Sequence, residues 1–212
     1  MPIAYPWYLA YLVFIKFSVI IDKDPPMKKV LLAAVITASA SFGSQTASAA
    51  QYNVDPTHSF INFRVQHLGV SWLHGRFNDI TGTFDYDASN ETASQVEMKV
   101  KTASVDSNHA ERDKHLRSDD FLDIDKYPTA SFKSSSFDGK SLTGELTLHG
   151  ITKTIEIEVT KVGEGDDPWG GHRAGFVGTH DLKRSDFGIS YNLGPAAEVV
   201  EMQFNIEGIL NK

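Results

Sequence analysis

SFINFRVQH, residues 59–67, decides the fold. Ser59, Ile61, Phe63, Val65 and His67 fall on one face of an extended chain, with Phe60, Asn62, Arg64 and Gln66 on the other. That period of two belongs to a strand with one sheltered face and one wet face. The pattern recurs downstream: Val96, Met98 and Val100 alternate with Glu97, Lys99 and Lys101, and Ile155, Ile157 and Val159 alternate with Glu156 and Glu158. Near the end Val200, Met202, Phe204 and Ile206 alternate with Glu201, Gln203, Asn205 and Glu207. Shorter runs at 52–55, 76–87 with a break near Gly82, 129–137, 142–148 and 175–182 complete the set, and turn-forming clusters at 88–94, 138–140, 149–150 and 163–171 separate them. About eight antiparallel strands at this spacing predict an all-β protein built as one barrel, because closure removes both exposed sheet edges.

One stretch breaks the rhythm. SVDSNHAERDKHLRSDDFLD, residues 104–123, predicts a short capping helix near 108–118, with Asn108 as its N-cap and Glu111 reaching back in a capping box. Asp113 and Arg117 are spaced to pair at i, i+4. Ala110 and Leu116 are too few to bury a stripe, so Phe121 and Leu122 must anchor the helix as a lid over strands.

That stretch, with FINFRVQHLG from Phe60, TLHGITK from Thr147, DDPWGGHRAGF from Asp166 and LGP at Leu193, resembles the YceI family of lipid-binding periplasmic proteins from about Tyr52 onward. The resemblance implies a lipocalin-like barrel that holds a polyisoprenoid or similar long-chain lipid, a prenyl quinone such as ubiquinone included, with no catalytic residue and no cofactor or metal besides. On that implication the ligand-facing residues are Ile61, Phe63, Val65, His67, Val96, Met98, Val100, Ile155, Ile157, Val159, Val200, Met202 and Phe204. Alternation by itself says only that the interior is apolar. His67, Asn108 or His109 near the mouth would orient a head group, against ordinary roles in strand-end bonding and helix capping. Transient membrane contact goes with such a ligand, and the oligomeric state stays open, a homodimer included.

Catalytic patterns are sparse. Eight histidines invite a metal, but there is no HExxH, and His109 and His115 are spaced to lie about 120° apart around a helix. A site assembled across strands from His67, His74, His172 and His180 stays open, against solvated or core histidines. There is no G-x-S-x-G elbow and no cysteine for a thiol nucleophile. Asp119-Asp120 and Asp166-Asp167 read as solvated loop charges rather than acid and base partners. The GEGDDPWGGH segment reads as a long surface hairpin, and Asn90-Glu91-Thr92 matches a glycosylation acceptor by three letters alone. Two other readings stand beside the lipid carrier: a hydrolase or isomerase acting on a lipid in the same cavity, and a stress-related interaction protein using the barrel as a scaffold.

The amino-terminal end reads as an address. Met27, Lys28 and Lys29 precede an apolar run at 30–40 and small residues ending in Ala47-Ser48-Ala49, the order of a secretory signal peptide with cleavage expected after Ala49 and a periplasmic product. Residues 1–26 then form an upstream extension, from a mis-assigned start or as a membrane anchor. Residues 1–49 hold four lysines and two aspartates, so residues 50–212 carry 16 basic and 25 acidic side chains and a formal charge of −9. A polyphosphate partner such as nucleic acid meets net repulsion.

Overall fold

The computed structural model describes residues 49–211. The extension at 1–26 and nearly all of the signal peptide read at 27–49 lie outside the described residues. The elements in chain order are β1 (Ala50–Val54), β2 (Phe60–His67), β3 (Ser71–Phe77), β4 (Ile80–Tyr86), β5 (Gln95–Lys101), β6 (Val105–Asp106), α1 (Ala110–Arg117), β7 (Thr129–Phe137), β8 (Ser141–Leu148), β9 (Ile151–Asp166), β10 (His172–Lys183) and β11 (Val199–Leu210).

Eight strands run antiparallel around a ring in the order β1, β4, β5, β7, β8, β9, β10, β11, and the ring closes where Tyr52 of β1 meets Leu210 of β11. This is the eight-stranded barrel that the alternation predicted, and among the described residues it carries one short α-helix, the one expected near 108–118. β2 continues along the same edge of β11 as β1, from Phe60 opposite Asn205 to Val65 opposite Val200, and carries β3 and β6 beside it. Inward side chains at one end pack as a stack of rings. Tyr52 lies flat on Phe84 with centroids 5.0 Å apart, and Phe176 meets Phe84 and Tyr86 edge-on. Neighbouring strands make room for such rings: a Cβ on Gly208 would lie 2.4 Å from the Phe84 ring, and one on Gly75 would lie 2.2 Å from Phe63.

Two strand readings change. The interruption expected near Gly82 falls at Asn78 and Asp79, whose amides both donate to the Ser104 hydroxyl, at 3.1 and 3.0 Å. Ser104 supplies the partner that the ladder lacks there, so the chain breaks at the polar pair and not at the glycine. Gly82 sits inside β4 because a Cβ would lie 2.4 Å from the Glu97 carbonyl oxygen. The long hairpin expected at 163–171 is shorter: β9 stays paired as far as Asp166 opposite His172, leaving residues 167–171 as the turn. Asp167 closes it by accepting from the Trp169 and Gly171 amides and from Arg173. It is a buried turn carboxylate, not a solvated charge.

Candidate functional site

The barrel interior holds two adjoining cavities. The upper one, beneath α1, has a volume of about 200 Å³, and the lower one about 120 Å³. Phe132, Ile157 and Phe204 belong to both walls and mark the waist between them. Of the inward residues named from the sequence, Ile61, Phe63, Val65, Val100, Ile155, Val200 and Met202 line the upper chamber, Val96, Met98 and Val159 the lower, and Ile157 and Phe204 both. His67 does not join them. It pairs with Ser71 at the mouth of the β2–β3 turn, where Leu68 and Gly69 take left-handed backbone angles, and it is exposed beyond the wall.

Further lining residues lie outside the longest alternating runs. Phe132 on β7, Leu146 and Leu148 on β8 and Phe176 on β10 lie in segments recognised as strands, and the same period of two places them inward. Ile189, Leu193 and Ala197 also line the upper chamber but come from the connection between β10 and β11, where no periodicity announces them.

The lid is fastened differently from its expected design. His109, not Asn108, is the N-cap, its Nδ1 accepting from the Arg112 amide at 3.3 Å, while Asn108 adopts a left-handed backbone with φ 62°. Asp113 does not pair with Arg117. It is buried and accepts from the amide and hydroxyl of Ser107, the amide at 2.8 Å. Arg117 instead donates to the carbonyls of Ala103 and Val105, at 2.8 and 2.6 Å. The reason is burial: a sheltered carboxylate needs donors held in place, and the chain between β5 and the short β6 brings the Ala103 and Val105 carbonyls within reach of Arg117. Beneath these ties Leu116, Phe121 and Leu122 close the upper chamber.

Burial alone would raise the Asp113 pKa, but the Ser107 hydrogen bonds outweigh it and hold the carboxyl below its ordinary value. The stabilisation is therefore complete above the ordinary carboxylate range and is lost as pH falls through the depressed value. Asp113→Ala is expected to cost about 2–3 kcal/mol in urea unfolding at neutral pH. Wild type and variant should converge in acid; a gap of constant size at both pH values would contradict this account of the lid.

At the far end Tyr86 lines the lower chamber, and its hydroxyl donates to Glu91 while accepting from Lys161. Burial pushes the phenol above its usual pKa. Hydrogen bonds to Glu164 and Tyr86 hold the Lys161 ammonium well above its usual range.

The histidines considered together do not assemble. His172 bonds Asp166 at 2.7 Å, His180 bonds the Glu156 carbonyl, and His67 and His74 are exposed on β2 and β3. Among the described residues, Asp55, His58 and Glu207 form the one grouping with metal-ligand spacing. Arg173 already donates to both of its carboxylates, which makes it an ion-pair knot. Asp119 and Asp120 do not converge as a pair: Asp120 bonds His115 across 2.8 Å.

The profile of the YceI-like domain matches residues 52–208. The chain is similar to a UPF0312 protein of Pseudomonas aeruginosa, 51% identical over 189 residues that cover 86% of this chain and 99% of the relative. It is likewise similar to Protein YceI of Escherichia coli, 49% identical over 192 residues, 88% of this chain and 100% of the relative. Among solved structures, a YCEI protein of Campylobacter jejuni aligns with a TM-score of 0.61 and 27% identity over 70% of this chain and 91% of its own. BcnA of Burkholderia cenocepacia gives a TM-score of 0.63 at 24% identity, over 73% and 98%. A polyisoprenoid binding domain from Saccharophagus degradans gives 0.58 at 17% identity, over 77% and 99%. The last two likenesses speak for the fold alone.

Proposed function

This chain belongs to the YceI-like domain family, and on that premise we propose that it is a periplasmic binding protein that sequesters or carries a polyisoprenoid lipid, without performing chemistry on it. One observation carries the reading: two apolar chambers that share the wall residues Phe132, Ile157 and Phe204 lie along the barrel, the upper one under a helical lid. The polyisoprenoid binding domain from Saccharophagus degradans shares the fold in which these chambers lie. Burial of each methylene contributes roughly 0.8 kcal/mol, so a long prenyl chain needs no charged anchor to stay inside. Prenyl quinones and quinols fall within this class. The periplasmic assignment rests on the export pattern at 27–49, and cleavage after Ala49 would leave β1, which begins at Ala50, intact. Organic extraction of the purified protein, followed by mass spectrometry, tests the proposal. A stoichiometric prenyl lipid is expected; an empty barrel, or chemical conversion of the extracted lipid when it is added back to the protein, would overturn it.

The exposed β2–β3 turn supports a role in delivery to and from a bilayer. Leu68 and Val70 stand 72% and 80% exposed at its tip, and the Cβ position of Gly69 lies 4.0 Å from Ala196, within the segment that lines the upper chamber. An apolar tip beside the mouth suits shallow insertion at the headgroup boundary. The double variant Leu68→Ser, Val70→Ser should lose most co-flotation with phosphatidylethanolamine–phosphatidylglycerol vesicles while keeping its lipid content. Undiminished flotation would remove the turn from this role.

A further inference from the structure

β9 and β10 part company inside the upper chamber. Their ladder runs from Asp166 opposite His172 to Glu158 opposite Thr179 and ends there, although β9 extends back to Ile151 and β10 forward to Lys183. His180 sits in the fork. Its Nδ1 lies 2.8 Å from the carbonyl oxygen of Glu156, and its ring lines the cavity next to its cross-strand partner Met202. A carbonyl oxygen only accepts, so Nδ1 carries a proton and donates, and when the ring is neutral its lone pair is at Nε2. That nitrogen has no hydrogen-bond partner among the described residues. Arg184 is the other ionisable side chain on this wall, and its guanidinium is committed to the carbonyls of Ala197 and Ile189.

We propose that His180 Nε2 is the head-group subsite of the barrel and that it selects lipids ending in a hydroxyl, a long-chain alcohol or a phenol, by accepting their O–H. The proposal rests on the lipid-binding reading and adds to it the chemistry of the head. The fork fixes the ring through Nδ1, so the acceptor has a set direction before any ligand arrives, and little ordering is needed on binding. A head that only accepts, such as an ether or a quinone carbonyl, finds no donor at Nε2 and is buried without a partner. A diphosphate meets a lone pair where it needs a cation. Of a quinone and its hydroquinone, the reduced form fits.

Geranylgeraniol and its methyl ether separate the donor from everything else in the ligand. With the full-length, delipidated protein the alcohol should bind about fivefold to tenfold more tightly than the ether, the contribution of one neutral hydrogen bond. In His180→Leu and, as a second variant keeping a planar ring, His180→Phe, the alcohol preference should be lost, the ether binding at least as tightly as the alcohol, with ether affinity within about twofold of wild type because its apolar burial is unchanged. Retained ether binding also reports that a variant is folded. Equal binding of alcohol and ether by the wild type, or an alcohol preference that survives both substitutions, would overturn the His180 assignment and leave lipid binding standing. Should neither probe bind the wild type, the lipid-binding reading falls together with it.

Discussion

Val100→Phe and Val200→Trp, made singly, are expected to strip the purified protein of most of its lipid, while at least one of them leaves the delipidated barrel nearly as stable as wild type. Both valines are half-buried and line the upper chamber of about 200 Å³. Overpacking a solid core costs about 1–3 kcal/mol, because neighbours must leave their preferred rotamers. A ring projected into ligand space displaces the lipid instead. Lipid is quantified on each purified preparation and urea unfolding is run on the same preparation after delipidation, since bound ligand raises apparent stability by mass action. If both variants unfold early and the folded remainder keeps its full lipid load, these strand faces do not line the ligand space.

Arg184→Met carries the largest expected loss of stability, about 2–5 kcal/mol, because two buried carbonyls would each lose a donor. Arg184 is 6% exposed, and its Nε and Nη1 reach Ala197 and Ile189 at 2.8 and 2.9 Å. Those residues bracket the loop that closes the upper chamber beside Leu193. Arg184→Lys should rescue little, since one ammonium cannot serve two diverging carbonyls as a planar fork does. A urea midpoint that barely moves in Arg184→Met would show that the loop is held by its apolar contacts with Phe187 and Ala197 rather than by the guanidinium.

Alternation made the barrel legible because a period of two is a property of every inward strand, independent of partners. It placed Ile61, Met98, Ile157 and Phe204 on the cavity wall, and the family motifs added the expectation of a lipid. Features that depend on a distant neighbour stayed hidden. Asp113 and Arg117 are spaced as an ion pair, yet each finds a better partner in Ser107 and in the carbonyls of Ala103 and Val105, which tertiary packing brings near. The fork at His180 leaves no mark on composition, because β9 and β10 keep their patterns past the point where they separate. Arg184 looks like a surface charge in KRSDFG; only the fold reveals that its head is enclosed.

The ring closes through β1 and β11, near the two ends of the barrel chain, with Tyr52 opposite Leu210 and Val54 opposite Gly208. β11 is also the strand that β2 and β10 lean on. Closing so long a loop is entropically costly until its contacts form, and topologies dominated by distant pairings fold slowly. A chain still lacking its last strand has no complete inner wall, since Val200, Met202 and Phe204 arrive with β11. Any ligand of the upper chamber would therefore meet a complete wall only once β11 has joined the ring.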